Sequence, residues 1–191
     1  MNRVDVNTGC IQIFDGFEKT ENQIAKLLLK NFDLMRLIYY NDADPLSKPM
    51  DEELAERIVT EYKAKPIIND SGESIYERNP HCRIRFEPFT GEIENQDNAQ
   101  IRIYALQINP SNKYLGELFI QMDIIVNLNI NKIKGGKRRD KIASELIRSL
   151  NGQEISMVSD LRLADKAAGL RQFKDEFWGW SMLFVTGVSV P

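Results

Sequence analysis

Five basic residues, Lys132, Lys134, Lys137, Arg138 and Arg139, crowd around Gly135-Gly136 in the stretch NKIKGGKRRD. Glycine-rich turns at helix starts bind phosphate through backbone N–H groups and nearby lysines. This stretch departs from the phosphate-loop pattern GxxxxGK[ST], because Arg138 follows Gly136-Lys137 and the first glycine is missing. The dinucleotide pattern GxGxxG does not occur in the chain. Three readings of the stretch stay open. Its cations can neutralise several backbone phosphates of DNA, giving salt-dependent contact without sequence reading. They can complement the acidic surface of another subunit, or they can be a solvated turn between a strand and a helix. No aromatic residue is interleaved with them, so a base-stacking platform for single strands is unsupported.

Metal-dependent nucleases gather carboxylates and a lysine around Mg²⁺, often through an ExK element on a strand. Here the ExK match, Glu61-Tyr62-Lys63, falls on a predicted helix. Asp123 and Glu87 are the carboxylate pair that strand alternation can bring to one sheet face, but no lysine accompanies them. His81 is the sole histidine, which removes every two-histidine metal motif. It sits between Pro80 and Cys82 at a predicted strand entrance and reads as structural or exposed. Cys10 and Cys82 are too few and too far apart for a disulfide framework or a CxxC site. The expectation is a protein that is not an enzyme, with no catalytic residue, metal or cofactor. Trp178 and Trp180 lie two apart on a predicted strand, hence on one face, either as core packing or as anchors for a partner.

Charge is unevenly distributed over a formal net of -3. Residues 1–79 carry 10 Lys/Arg against 15 Asp/Glu, whereas residues 132–148 carry 7 against 2. Such polarity suits contact between unlike faces of neighbouring subunits at least as well as it suits nucleic acid. Hydrophobic residues at 42% and charged residues at 28% are ordinary for globular chains. No apolar run approaches the roughly 20 residues of a membrane-spanning helix, and MNRVDVNTGC lacks the apolar stretch of a signal peptide. A soluble, intracellular protein without membrane contact is expected.

The elements that must position these residues follow from periodicity. Thr20-Glu21-Asn22-Gln23 fits a capping box, which predicts a helix start near Glu21. Ile24, Leu27, Leu28, Met35 and Ile38 then recur at helical steps until Asn41-Asp42. NDADPLSKP is turn chemistry. A second helix opens on Asp51, Glu52 and Glu53, with Leu54, Ile58 and Tyr62 as its apolar face, and Pro66 ends it. After a polar loop the period changes to two. Cys82, Ile84 and Phe86 mark one strand, and residues 99–109 another.

The clearest strand signal is the alternation Leu118, Ile120, Met122, Ile124, Val126, Leu128, Ile130. As one strand it would reach roughly 45 Å, against about 20 Å for ordinary strands. It must bend or bulge, or extend beyond the subunit to be covered by a partner. Gly135-Gly136 then turns the chain into a helix from about Arg138 to Leu150, capped by Asn151-Gly152. Residues 153–176 are mixed, with a possible short strand at Ile155–Val158, and FWGWSMLFVTGVSV closes the chain as a strand. The expected fold is one α+β domain over residues 1–191: an N-terminal arm (1–19), a helical part (20–65), and a mainly antiparallel sheet with a packed helix (82–190). A long strand or hairpin would extend toward neighbouring subunits.

This order of elements resembles the tail terminator, or tail-completion, proteins of tailed bacteriophages. The resemblance runs over about residues 20–190: the leading helix Glu21 to Tyr40, the turn NDADPLSKP, the strands RIRFEPF, AQIRIYALQINP and GELFIQMDIIVNLNI, the helix RRDKIASELIRSL, and the closing strand. It implies a structural virion protein, assembled in the host cytoplasm, that forms a ring, usually of six copies. The ring would cap the head-proximal end of the tail tube and join it to the head-to-tail connector. Its implied partners are copies of itself, the tail tube protein and the connector or neck proteins, with passing contact to double-stranded DNA. The family has no catalytic residues to transfer. The same pattern also fits another neck or head-completion protein, or a DNA-binding module without sequence specificity.

Overall fold

A computed structural model describes residues 6–60, 67–68, 73–88, 97–111, 115–155 and 159–189. Its elements in chain order are α1 (Val6–Leu29), α2 (Phe32–Tyr39), α3 (Glu52–Val59), β1 (Ile84–Arg85), β2 (Ala99–Pro110), β3 (Leu115–Asn127), α4 (Arg138–Leu150), β4 (Gln153–Glu154), β5 (Asp160–Lys174) and β6 (Phe177–Ser189). The fold is α+β, as the change of period from helical to alternating predicts. Among the described residues no helix is long and apolar enough to cross a membrane.

The helical part departs from expectation at both ends of its first element. α1 starts at Val6, so the capping-box match at Thr20 lies inside the helix, where Thr20 is buried. Residues 1–44 contain no proline, and a four-residue motif does not interrupt a chain that stays helix-competent on both sides. The single helix predicted to Tyr40 is instead two. α1 ends at Leu29, and Asn31 starts α2 by accepting the Leu34 N–H at 2.9 Å. The Asn31 amide also donates to Glu145 Oε2 (3.0 Å) and Ser149 Oγ (2.7 Å) on α4, fixing where the chain bends. α3 begins as predicted, with Asp51 accepting the Leu54 N–H. Tyr62 and Pro66 lie outside the described residues, as does the Glu61-Tyr62-Lys63 match.

Six strands form one sheet in the order β1-β2-β3-β6-β5-β4, antiparallel throughout except for β1 against β2. Its centre is β3, paired with β2 on one side and β6 on the other over nearly its whole length. Of the two alternatives for the long alternating segment, the bend is found. The strand ends at Asn127, and Leu128–Ile130 form a 3-10 turn, so the apolar alternation spans two elements. Both edges of β3 are used inside its own sheet. The predicted strand around Cys82–Phe86 shrinks to Ile84–Arg85. The possible strand at Ile155–Val158 falls almost wholly on residues 156–158, which lie outside the described residues, and β4 at Gln153–Glu154 precedes it.

β5 was not predicted. Its sequence, DLRLADKAAGLRQFK, carries no sustained alternation, because an edge strand buries little of either face. One core fills the space between the helices and one sheet face. Ile101, Ile103, Ile120, Met122, Ile124, Val126, Met182 and Phe184 meet Ile24, Leu28, Leu34, Ile38, Ile142 and Leu146 there. Burial of such side chains at roughly 1.5–3 kcal/mol each holds the helices against the sheet, and among the described residues no helix packs on the opposite face.

Candidate interaction site

The basic turn is a two-residue ladder, Lys132–Ile133 against Gly136–Lys137. Gly135 (φ +80°) and Gly136 (φ +142°) supply the left-handed backbone that closes it, and the helix follows at Arg138 as predicted. Its five cations have different fates. Arg138 is fully buried. Its Nε donates to the Ile130 carbonyl (2.8 Å), Nη1 to the carbonyls of Leu37 (2.7 Å) and Tyr40, and Nη2 to that of Asp42 (2.7 Å). It caps the C-terminal end of α2, where carbonyls lack intrahelical donors and the dipole favours a cation. Burial pushes its pKa down to about 10, only partly opposed by the nearby Asp42. Arg138 is therefore withdrawn from any DNA or subunit surface, contrary to its sequence assignment.

Lys134 is exposed but tied by its ammonium to Asp44 (3.1 Å) and by its backbone N–H to Ala43 (2.7 Å). The Arg139 side chain is only 12% exposed. Lys132 and Lys137 remain as the turn's openly exposed cations, and Lys141 closes the turn from below by donating to the Lys134 carbonyl (2.9 Å). The turn is in the main a device that locks α4 to α2.

Trp178 and Trp180 share a face, as their spacing requires, and it is the face that carries the helices. Both are half-buried. Trp180 packs against the core and its indole N–H donates to Asp140 at 2.9 Å, which accounts for its polar atom without a partner protein.

The opposite sheet face carries the carboxylates. Asp123 is buried, and accepts hydrogen bonds from the Tyr104 hydroxyl (3.1 Å), the Gln121 amide (3.0 Å) and the Ser181 hydroxyl. The residue directly across from it on β2 is Arg102, also buried, which binds Gln100 (3.1 Å) and forms an ion pair with Glu87. Glu87 is further approached by Arg85 at 3.6 Å and Arg78 at 3.9 Å. Burial, then the Asp123 charge, pushes the Tyr104 phenol up to about 12, so it stays protonated and donating near neutral pH. Burial and Arg85 lower Arg102, with Glu87 opposing.

Asp123 and Glu87 thus do share a face, but each is satisfied by its own donors, with Arg102 between them. Such an arrangement ties β2, β3 and β6 together. Among the described residues no group of three His, Cys, Asp or Glu side chains is placed to hold a metal ion. Arg102, Tyr104, Gln121 and Ser181 were missed from the sequence. The signal was present as the polar members of the β2 and β3 alternation. His81 accepts or donates at Tyr39 Oη (2.9 Å), and burial together with Arg57 and Arg83 lowers its pKa.

The sheet's outer boundaries complete the surface. β1 covers β2 only at Ile101 and Arg102, and β4 covers β5 only at Asp160 and Leu161. Past those points both long strands run on with no neighbouring strand among the described residues. Each carries one exposed leucine, Leu106 on β2 at 54% and Leu170 on β5 at 48%.

No curated protein matches the chain. A model of the YomW family matches residues 31–186, which span α2 through nearly all of β6, and the chain belongs to this phage-associated family.

Proposed function

We propose that the chain is a structural virion protein of a tailed phage, a tail terminator that self-assembles into a ring on the head-proximal end of the tail tube. In this reading it stops tube growth and presents a surface to the head-to-tail connector. The observation that carries it is the pair of sheet boundaries, β2 beyond Arg102 and β5 beyond Leu161, that have no neighbouring strand among the described residues. Exposed strand edges are templates for pairing with another chain. Two different edges on one subunit make a heterologous contact, which generates a ring when the rotation closes. Membership of a phage-associated family supports the viral setting. Any contact with passing DNA falls to Lys132 and Lys137, because Arg138 is buried and Lys134 is paired with Asp44.

Light scattering across a concentration series, with the protein alone and with added tail tube, tests the proposal. A closed multi-copy species, alone or on the tube, is expected. A single-chain mass under both conditions refutes it.

A further inference from the structure

The ring reading leaves open which surfaces meet, and the backbone directions restrict the answer. Ile101 donates its N–H outward to the Arg83 carbonyl at 2.8 Å, so its polar groups face away from β3. The two-residue alternation gives Ile103 and Ala105 the same outward direction. Ile101 is matched to Ile124, whose own polar groups therefore point toward β6, where its partner is Trp180. Trp180 then turns toward β3, so Leu170 opposite it on β5 faces outward, with Ala168 and Gln172. Each boundary thus offers outward N–H and C=O groups, at Ile103 and Ala105 on β2, then at Ile108 past the bulge between Ala105 and Gln107, and at Ala168, Leu170 and Gln172 on β5. Three antiparallel steps separate β2 from β5, so the two strands run in opposite directions.

We infer that the outer edge of β5 in one copy pairs antiparallel with the outer edge of β2 in the next copy of this chain. The partner is identified by direction and content. A rotation about an axis inclined to the strands sets the neighbour's β2 antiparallel to β5 and offset along it, as it must be, because Leu170 is level with Ile101, whose outward edge β1 already covers. The contact brings Leu106 of one copy and Leu170 of the next, both exposed in the single chain, to the same seam. It leaves β3 inside its own sheet, where both its edges are used. This inference rests on the ring reading and specifies its interface.

Proline at an outward position removes a donor the seam needs while sparing the bonds inside the sheet. Ala168→Pro blocks only the β5 edge, and Ala105→Pro only the β2 edge. Sedimentation of the full-length chains should show wild type as a multi-copy ring and each variant as a single chain. An equimolar mixture of the two variants should form a 1:1 pair, because each supplies the edge the other lacks. Leu170→Glu and Leu106→Glu, which keep every backbone donor and sit on exposed side chains, should weaken assembly at least tenfold in concentration while leaving the melting transition unchanged. Rings that survive in both proline variants would overturn the seam and leave the ring reading standing. Variants that refuse to pair in the mixture would overturn the seam alone, whereas symmetric dimers lost only in Ala168→Pro would overturn both the seam and the ring reading. A wild-type chain that stays single, with and without tail tube, would refute the ring reading and this inference with it.

Discussion

Arg138 is the residue whose loss the molecule should tolerate least among its surface-seeming cations. Arg138→Met keeps a long apolar stem and removes the guanidinium. The carbonyls of Ile130, Leu37, Tyr40 and Asp42 then lose their donor together. Hydrogen bonds from a charged donor are worth about 1.5–3 kcal/mol each, so four sum to about 6–12 kcal/mol before any offset. Two offsets apply. The variant no longer carries the several kcal/mol needed to desolvate a buried cation, a cost visible in the fall of the Arg138 pKa to about 10. The bonds to Tyr40 and Asp42 are only part-buried, so water can replace some of what is lost.

The net expectation is a loss of about 3–5 kcal/mol, the range for removing one side of a buried charged arrangement. Against a total stability of about 5–15 kcal/mol this is a large fraction. Urea unfolding with linear extrapolation reads it as a fall in midpoint at unchanged slope. Arg138→Lys should recover less than half, because an ammonium is a compact point donor without the planar fork that spans separate carbonyls. Lys137→Met, one residue away and exposed, should fall within about 0.5 kcal/mol of wild type. A cost below about 1 kcal/mol for Arg138→Met would refute the view that this arginine caps α2, and would return it to the pool of surface cations.

Two further perturbations test the packing. Burial, and next to it the Glu18 charge, raises the Glu21 pKa from 4.5 to about 7. The folded state therefore holds a proton that the unfolded chain has released between those values, and stability contributed by the neutral acid is fully present below pH 4.5 and lost as pH rises through about 7. Glu21→Gln should be more stable than wild type at pH 8, with the gap closing toward pH 4.5; a gap constant with pH across thermal melts would contradict this. At Gly179 an added Cβ would stand 1.5 Å from the Ile124 carbonyl oxygen, whereas at Gly169 it would meet nothing within 4 Å. Gly179→Ala should cost about 3 kcal/mol or more by forcing β6 off β3, and Gly169→Ala should be neutral or slightly stabilising; equal melting temperatures for the two variants would defeat the argument.

What the sequence disclosed and what it hid divide along one physical line, whether a residue's environment is set by near neighbours in the chain. The alternation of β2 and β3, the glycine turn before Arg138, the Asp51 cap of α3 and the Gly152 stop after α4 are local, and each stands where its residues place it. The break between α1 and α2 was hidden because its partners, Glu145 and Ser149, lie more than 100 residues away. Arg138 was hidden in the same way. In composition it is one of five equal cations, and only the approach of α2, 98 and 101 residues back at Tyr40 and Leu37, turns it inward while Lys137 stays out.

The alternation of β3 left two readings open for a physical reason. Long apolar alternation reports that a strand is buried, but burial can come from a partner subunit or from strands of the same chain. Here β6 supplies much of it, and β6 is held in turn by β5, the strand whose sequence signalled least. An edge strand is weakly patterned for the same reason that it is available: one of its sides has no neighbour to impose a residue choice. The long strand with least pattern is therefore one that has no strand beside it over most of its outer edge among the described residues, and the most strongly patterned strand is paired along both edges.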